Sequence, residues 1–176
     1  MEDKEDNGKG FIMGNGISFT CKKCGVSNEA YVGVGANLPQ KYFSIEDRVK
    51  KGECGEAYTK LAESTPMFAV NVENDVFVCD SCGYWSCETN MDLYAPNNVN
   101  DIMQMTFGTK TVKEWGYVPY VTKDELIEHY HKIVKVNHRC KKCGQPMKLY
   151  RGNLTDLPCK ECGSVPRGKR ELIKWD

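Results

Sequence analysis

Cys140-Lys-Lys-Cys143-Gly144 and Cys159-Lys-Glu-Cys162-Gly163 are two Cys-x-x-Cys-Gly units separated by fifteen residues, and their spacing decides how the chain is read. A Cys-x-x-Cys turn aims two thiolates at one point, and a second turn completes the tetrahedron that a soft divalent ion such as zinc prefers. Glycine after the second cysteine permits the left-handed backbone that closes such a turn. Backbone N–H groups inside the turn can donate to the sulfurs and temper their charge. The same unit occurs at Cys21-Lys-Lys-Cys24-Gly25 and Cys79-Asp-Ser-Cys82-Gly83, so eight of the ten cysteines fall into four repeats. Two closed four-sulfur sites are therefore predicted.

Ten cysteines in 176 residues suit either metal or disulfides. The opening MEDKEDNGKG has no basic stretch leading into an apolar run, which argues against secretion and an oxidising compartment. A disulfide framework would not require the repeated spacing, so metal is the expectation, with cytoplasmic residence as the default. No segment approaches the roughly 20 apolar residues that cross a bilayer, and no membrane association is expected. The formal charge of zero hides an asymmetry: residues 132–176 hold twelve Lys and Arg against four Asp and Glu, so the preceding residues carry the compensating acidic excess. Each four-thiolate zinc site adds a formal charge of about −2. Such a chain does not bind polyanions over its whole surface, although a local basic face remains open.

The pattern around the cysteines is predominantly that of strands. Residues 1–10 read as a disordered leader, with order starting near Phe11. Alternating apolar residues in Ile17-Ser-Phe19-Thr-Cys21 predict a strand running into the first knuckle, with the return strand over 30–34. Gly33 and Gly35 point to a bulge or a close backbone approach. Ser44 is the expected N-cap of a helix that Gly52 and Gly55 break, and a second piece covers 56–64 before Pro66 forbids continuation. Strands over 68–72 and 76–79 flank a turn at Glu73-Asn-Asp75. Residues 95–112 read as a connector, and 115–121, which contain Pro119, as an edge strand or extended linker. Thr122-Lys-Asp-Glu125 is a capping box that starts a short helix. Strands over 133–136 and 147–150 surround the third knuckle, and a last strand lies near Leu172 and Ile173.

The strand, knuckle, strand pattern resembles the zinc-ribbon (rubredoxin-like) family, in which two knuckles on adjacent β-hairpins share one zinc. Most of the chain after residue 10 also resembles small uncharacterised bacterial zinc-ribbon proteins. These share a Gly-x-Gly-Ile-x-Phe-x-Cys-x-x-Cys-Gly start, here Gly14 to Gly25, and end in a second ribbon. The resemblance implies structural metal rather than an active site. The expected fold is small, metal-bound and mostly β with α insertions (α+β), and carries two zinc ions. An N-terminal ribbon over 11–94 would use Cys21, Cys24, Cys79 and Cys82, with the broken helix inserted in it. A connector over 95–131 would lead to a C-terminal ribbon over 132–176 using Cys140, Cys143, Cys159 and Cys162.

Several residues compete with this assignment. Cys54 and Cys87 lack a knuckle partner and read as buried or surface thiols, Cys87 being the better placed to intrude on the first site. His129 and His131 are two apart and make a poor helical metal pair, while His138, two before Cys140, could replace a thiolate only if one cysteine were displaced. Iron is the alternative metal, and would make the chain a rubredoxin-like redox protein. No nucleophile–base arrangement stands in usable context, so no catalytic residue is assigned. The leading functional expectation is a non-enzymatic zinc-binding adaptor that meets a protein partner, through exposed aromatics such as Trp85 and Trp115 or through the acidic half. Nucleic acid is the other partner class. It would be gripped by Arg139, Lys141, Lys142, Lys148 and Arg151, with Tyr150 placed to stack on a base.

Overall fold

A computed structural model describes residues 14–165 and 170–175. The expected leader and the start of order at Phe11 lie outside these residues. Helices and strands occur in comparable amounts, a larger helical share than the sequence pattern suggests.

The first hairpin forms as its alternation requires. Strand β1 (Gly14–Thr20) pairs with β2 (Ser27–Val32), with Ile17 opposite Ala30. Ile17, Phe19, Asn28 and Ala30 are buried on one side. Strand β11 (Glu171–Trp175) adds to the free edge of β1, giving the order β11-β1-β2. The initial glycines have a steric reason: a Cβ on Gly14 would collide with the Trp175 indole, and one on Gly16 would press on the Ala30 carbonyl. Gly33, at φ +85°, makes the close approach anticipated for it and exchanges backbone hydrogen bonds with Asn74. This bridge ties the first hairpin to the second.

The second hairpin has the same layout. Strand β4 (Asn74–Val78) pairs with β5 (Trp85–Thr89), and β10 (Lys148–Leu149) adds to the free edge of β4 in the order β10-β4-β5. In both sheets the strand entering the hairpin knuckle is central. The flanking strand comes from the chain beyond a distant C-terminal knuckle. The two sheets share a small core of Ile17, Phe19, Ala30, Val76, Trp85 and Leu157. Full burial of such side chains is worth about 1.5–3 kcal/mol each.

The remaining elements build a second, larger core. Helix α1 (Leu38–Lys50) starts earlier than Ser44 because Pro39 occupies the first turn, where its missing N–H costs nothing. Leu38, Tyr42, Ile45 and Val49 recur at helical spacing on its buried face. Helix α2 (Glu56–Ser64) comes after the break at Gly52 and Gly55, as expected. The sheet of β3 (Ala69–Val70), β6 (Leu93–Pro96) and β9 (Tyr130–Val134) closes this core, in the order β3-β6-β9. The expected connector proves structured: it holds α3 (Val99–Gln104), a small hairpin of β7 (Thr106–Phe107) and β8 (Lys110–Thr111), and α4 (Val112–Trp115). Thr111 and Glu114 form a capping box there, so residues 112–115 are helical and no strand forms at 115–121. The Thr122–Glu125 box starts α5 (Lys123–His129) where the sequence pattern puts it.

The chain passes between the large core and the second hairpin twice, through two matching turns. Asn71 Oδ1 accepts the Glu73 N–H and Asn90 Oδ1 accepts the Asp92 N–H, each at 3.0 Å. The buried Asp92 accepts the Val136 N–H at 2.8 Å and pairs with Lys132 at 2.5 Å, which satisfies its charge.

Candidate metal centres

All four knuckles fold alike because each satisfies the same local hydrogen bonds. The first cysteine donates its N–H to the carbonyl five residues on, and the glycine donates back to the first cysteine's carbonyl, at 2.8–2.9 Å throughout. Gly25, Gly83, Gly144 and Gly163 hold φ between +68° and +74°, a region closed to most L-residues at low cost.

Tertiary structure pairs these knuckles differently from the sequential expectation. Site I gathers Cys21, Cys24, Cys159 and Cys162; site II gathers Cys79, Cys82, Cys140 and Cys143. The pairing is nested, first with fourth and second with third. Cys140 and Cys143 do not share a site with Cys159 and Cys162, nor Cys21 and Cys24 with Cys79 and Cys82. The physical reason lies in the strands. Residues leaving the third knuckle add to β4, and those leaving the fourth reach β1, so each C-terminal knuckle is delivered to a different N-terminal hairpin.

The geometry fits a tetrahedral ion. Within each site the four sulfurs lie within 4.8 Å of one another. The shortest separations are 3.6 Å for Cys21–Cys162 and Cys24–Cys159, 3.4 Å for Cys79–Cys143 and 3.6 Å for Cys82–Cys140. Metal–sulfur bonds of about 2.3 Å put tetrahedral sulfurs about 3.8 Å apart, whereas a disulfide needs about 2.05 Å. Both clusters are poised to coordinate a metal ion, and their all-thiolate chemistry is consistent with zinc.

Charge argues the same way. The Ser164 hydroxyl, with the Cys24 N–H, pulls the Cys21 thiol down to about 6. Burial pushes Cys79 up, but the N–H groups of Cys82 and Ser81 and its contact with Cys143 bring it to about 7. At Cys24 the Val26 N–H works downward, yet desolvation and the neighbouring sulfurs push the thiol up to about 12. Cys143 likewise rises to about 12, against the Gln145 N–H, through the Cys79 sulfur and desolvation. Desolvation and the neighbouring sulfurs thus oppose ionisation of Cys24 and Cys143, and a bound cation would offset both.

The two sites differ in their surroundings. Asn28, 1% exposed, donates from Nδ2 to the Val26 carbonyl at 3.0 Å and to Cys159 Sγ at 3.5 Å. Its Oδ1 accepts the Lys160 N–H at 2.8 Å. One side chain therefore clamps both knuckles of site I. Ser164 Oγ lies 3.0 Å from Cys162 Sγ and 3.3 Å from Cys21 Sγ. No such side-chain donor meets the sulfurs of site II among the described residues. Sequence reasoning missed Asn28 and Ser164. The signal for Asn28 was a polar residue in an inward slot of an alternating strand, in step with Ala30.

The competing residues fall elsewhere. Cys54 packs against the large core, and Cys87 accepts the Tyr31 N–H at 3.3 Å; neither joins a cluster, and burial pushes both thiols up. His138 is buried, stacks on Phe77 at 3.8 Å, and places its ring nitrogens 3.1 Å from Glu88 and 2.9 Å from the Asn90 carbonyl. Both ring nitrogens are thus engaged by partners other than the site II sulfurs. His131 Nδ1 meets Asn97, and His129 lies beside Glu128.

Two partner expectations change. Trp85, expected exposed, is fully buried, and its Nε1 donates to the Pro158 carbonyl at 2.7 Å. It forms part of the joint between the sheets. Of the five basic candidates, Arg139 donates to the Gly144 carbonyl, Lys141 pairs with Glu88 at 3.3 Å and Lys148 pairs with Asp80. Lys142 and Arg151 are exposed and make no such contact with the described residues. Tyr150 donates its hydroxyl to the Asn153 carbonyl. No described helix is long and apolar enough to cross a membrane.

Comparison with known protein families, curated proteins and solved structures returned no match to this chain.

Proposed function

We propose that this chain is a non-enzymatic adaptor built on two structural zinc ribbons, one per four-cysteine site. The observation that carries this reading is the closed donor set. Each site offers four thiolates from two knuckles, which fills a tetrahedral ion's coordination and leaves no position for substrate. Each ion would also join segments far apart in the chain, and structural zinc in comparable peptides contributes about 10–16 kcal/mol to folding. A protein partner is favoured over nucleic acid because three of the five candidate basic groups are engaged within the chain. Trp115 and Tyr117, 40% and 44% exposed and in edge-to-face contact, offer the kind of aromatic surface that anchors protein interfaces.

Metal quantification on purified protein tests the reading. About two zinc ions per chain are required, with Cys21→Ser and Cys159→Ser each removing one and the double variant removing no more. Cys79→Ser paired with either should remove both. Iron instead of zinc would replace the adaptor with a redox protein, and tight DNA or RNA binding lost with Lys142→Ala and Arg151→Ala would favour the nucleic-acid class.

A further inference from the structure

The two sites present different faces to solvent. Cys79 and Cys140 of site II are buried, while Cys82 and Cys143 are both exposed. In site I only Cys24 is exposed: Cys162 is partly covered, and the Ser164 hydroxyl sits against its sulfur. Asn28 and Ser164 give the site I sulfurs side-chain donors that site II lacks among the described residues. A hydrogen bond donated to a thiolate draws off electron density and lowers its nucleophilicity, and a small oxidant attacks where a thiolate is accessible.

We propose that Cys82 and Cys143 form a peroxide-sensitive modification site, at which oxidation joins the two sulfurs and releases the ion of site II while site I keeps its own. This rests on the zinc reading above. The exposed thiolates of site II lie within 4.8 Å of each other, so one can resolve the product formed on the other with little backbone movement. In the first step one thiolate attacks a peroxide oxygen, the O–O bond breaks, and a sulfenic acid and hydroxide form. In the second the neighbouring thiolate attacks that sulfur and displaces hydroxide. Two thiolates, one hydrogen peroxide and two protons thus give one disulfide and two waters. The sulfurs supply both electrons, and zinc leaves unchanged in oxidation state because only Cys79 and Cys140 remain to hold it.

The consequence is local. Apart from the ion, residues 139–149 are held to the rest of the chain by two register pairs between β10 and β4, by Met147 in a small core with Phe77, and by the ion pairs Lys141–Glu88 and Lys148–Asp80. Loss of the ion frees this hairpin. The nested pairing leaves site I, β1 and β11 joined.

The test is graded hydrogen peroxide added to zinc-loaded protein, with released zinc read by a chromogenic chelator and disulfides mapped by mass spectrometry after alkylation. The result expected is a first zinc released at least about tenfold faster than the second, with Cys82 joined to Cys143 and the four site I cysteines still alkylated. Ser164→Ala should bring the second release closer to the first without changing the first. Equal release from both sites, release from site I first, or zinc loss without a Cys82–Cys143 disulfide would overturn the proposal and leave the zinc reading standing. A protein that carries no zinc before peroxide is added would remove both.

Discussion

Asn28→Ala tests the organisation of site I most directly. The side chain is 1% exposed and joins the Val26 carbonyl, the Cys159 sulfur and the Lys160 N–H. Truncation leaves the Lys160 N–H short of a partner, while the Val26 oxygen keeps the Cys21 N–H. An unsatisfied buried group costs about 1–3 kcal/mol, so the folded protein should lose about 1–3 kcal/mol. Removing a hydrogen bond that orients a metal ligand typically weakens binding about 10- to 100-fold. The zinc of site I should weaken by that factor and the zinc of site II should not. Ser86 provides the control: it occupies the same place relative to Cys82 as Asn28 does to Cys24, but its hydroxyl meets Glu88 and the Met147 sulfur, not a cysteine. Ser86→Ala should leave both affinities unchanged. Competition against a chelator of known affinity, followed by thermal unfolding with and without excess chelator, gives both quantities. A site I affinity within twofold of wild type, or equal weakening at both sites, would refute the assignment of Asn28 as the clamp.

Trp85→Ala should destabilise by about 3–5 kcal/mol, because it empties the centre of the core shared by the two sheets. Trp85→Phe should retain most of that packing but lose the bond to Pro158, and chemical denaturation separates the two. Zinc binding should release protons at neutral pH and weaken as pH falls, since Cys24 and Cys143 are pushed up to about 12 without metal. Calorimetry in buffers of different ionisation enthalpy reads the proton count, and an identical heat in every buffer would contradict it. Burial pushes the Glu88 carboxyl up, but bonds from His138, Ser86 and Lys141 hold it below 4.5. Its contribution to stability is therefore present above the unfolded carboxyl value and is lost as pH falls through the lowered one. The melting-temperature gap between wild type and Glu88→Gln should be widest near neutral pH and close in acid; a constant gap would sink the assignment.

The candidate metal centres were legible wherever the cause was local. A Cys-x-x-Cys-Gly unit contains its own turn, its own hydrogen bonds and the glycine that its positive φ demands, so all four knuckles and all eight clustered sulfurs can be read from five-residue windows. The Ile17-x-Phe19 alternation and the Thr122 capping box are local in the same sense. Helix α1 was misplaced because Ser44 competed with Pro39 as a start signal, and the Thr111 box was hidden inside a polar stretch that looked like a linker.

Pairing is different in kind. Any two of four nearly identical knuckles would complete a tetrahedron, so ligand chemistry cannot select among them, and the short spacer between the third and fourth favours the wrong choice. The segments C-terminal to the knuckles make the selection: Lys148 and Leu149 add to β4, β11 crosses to β1, and Asn28 clamps Cys159 to the first hairpin. Trp85 was lost for the same reason, since its burial depends on Leu157 and Pro158, some seventy residues away. The ligands and their turns are written into short windows of the chain. Which knuckles meet is settled by the fold, because that choice rests on strand pairing and core packing between residues that no local window contains.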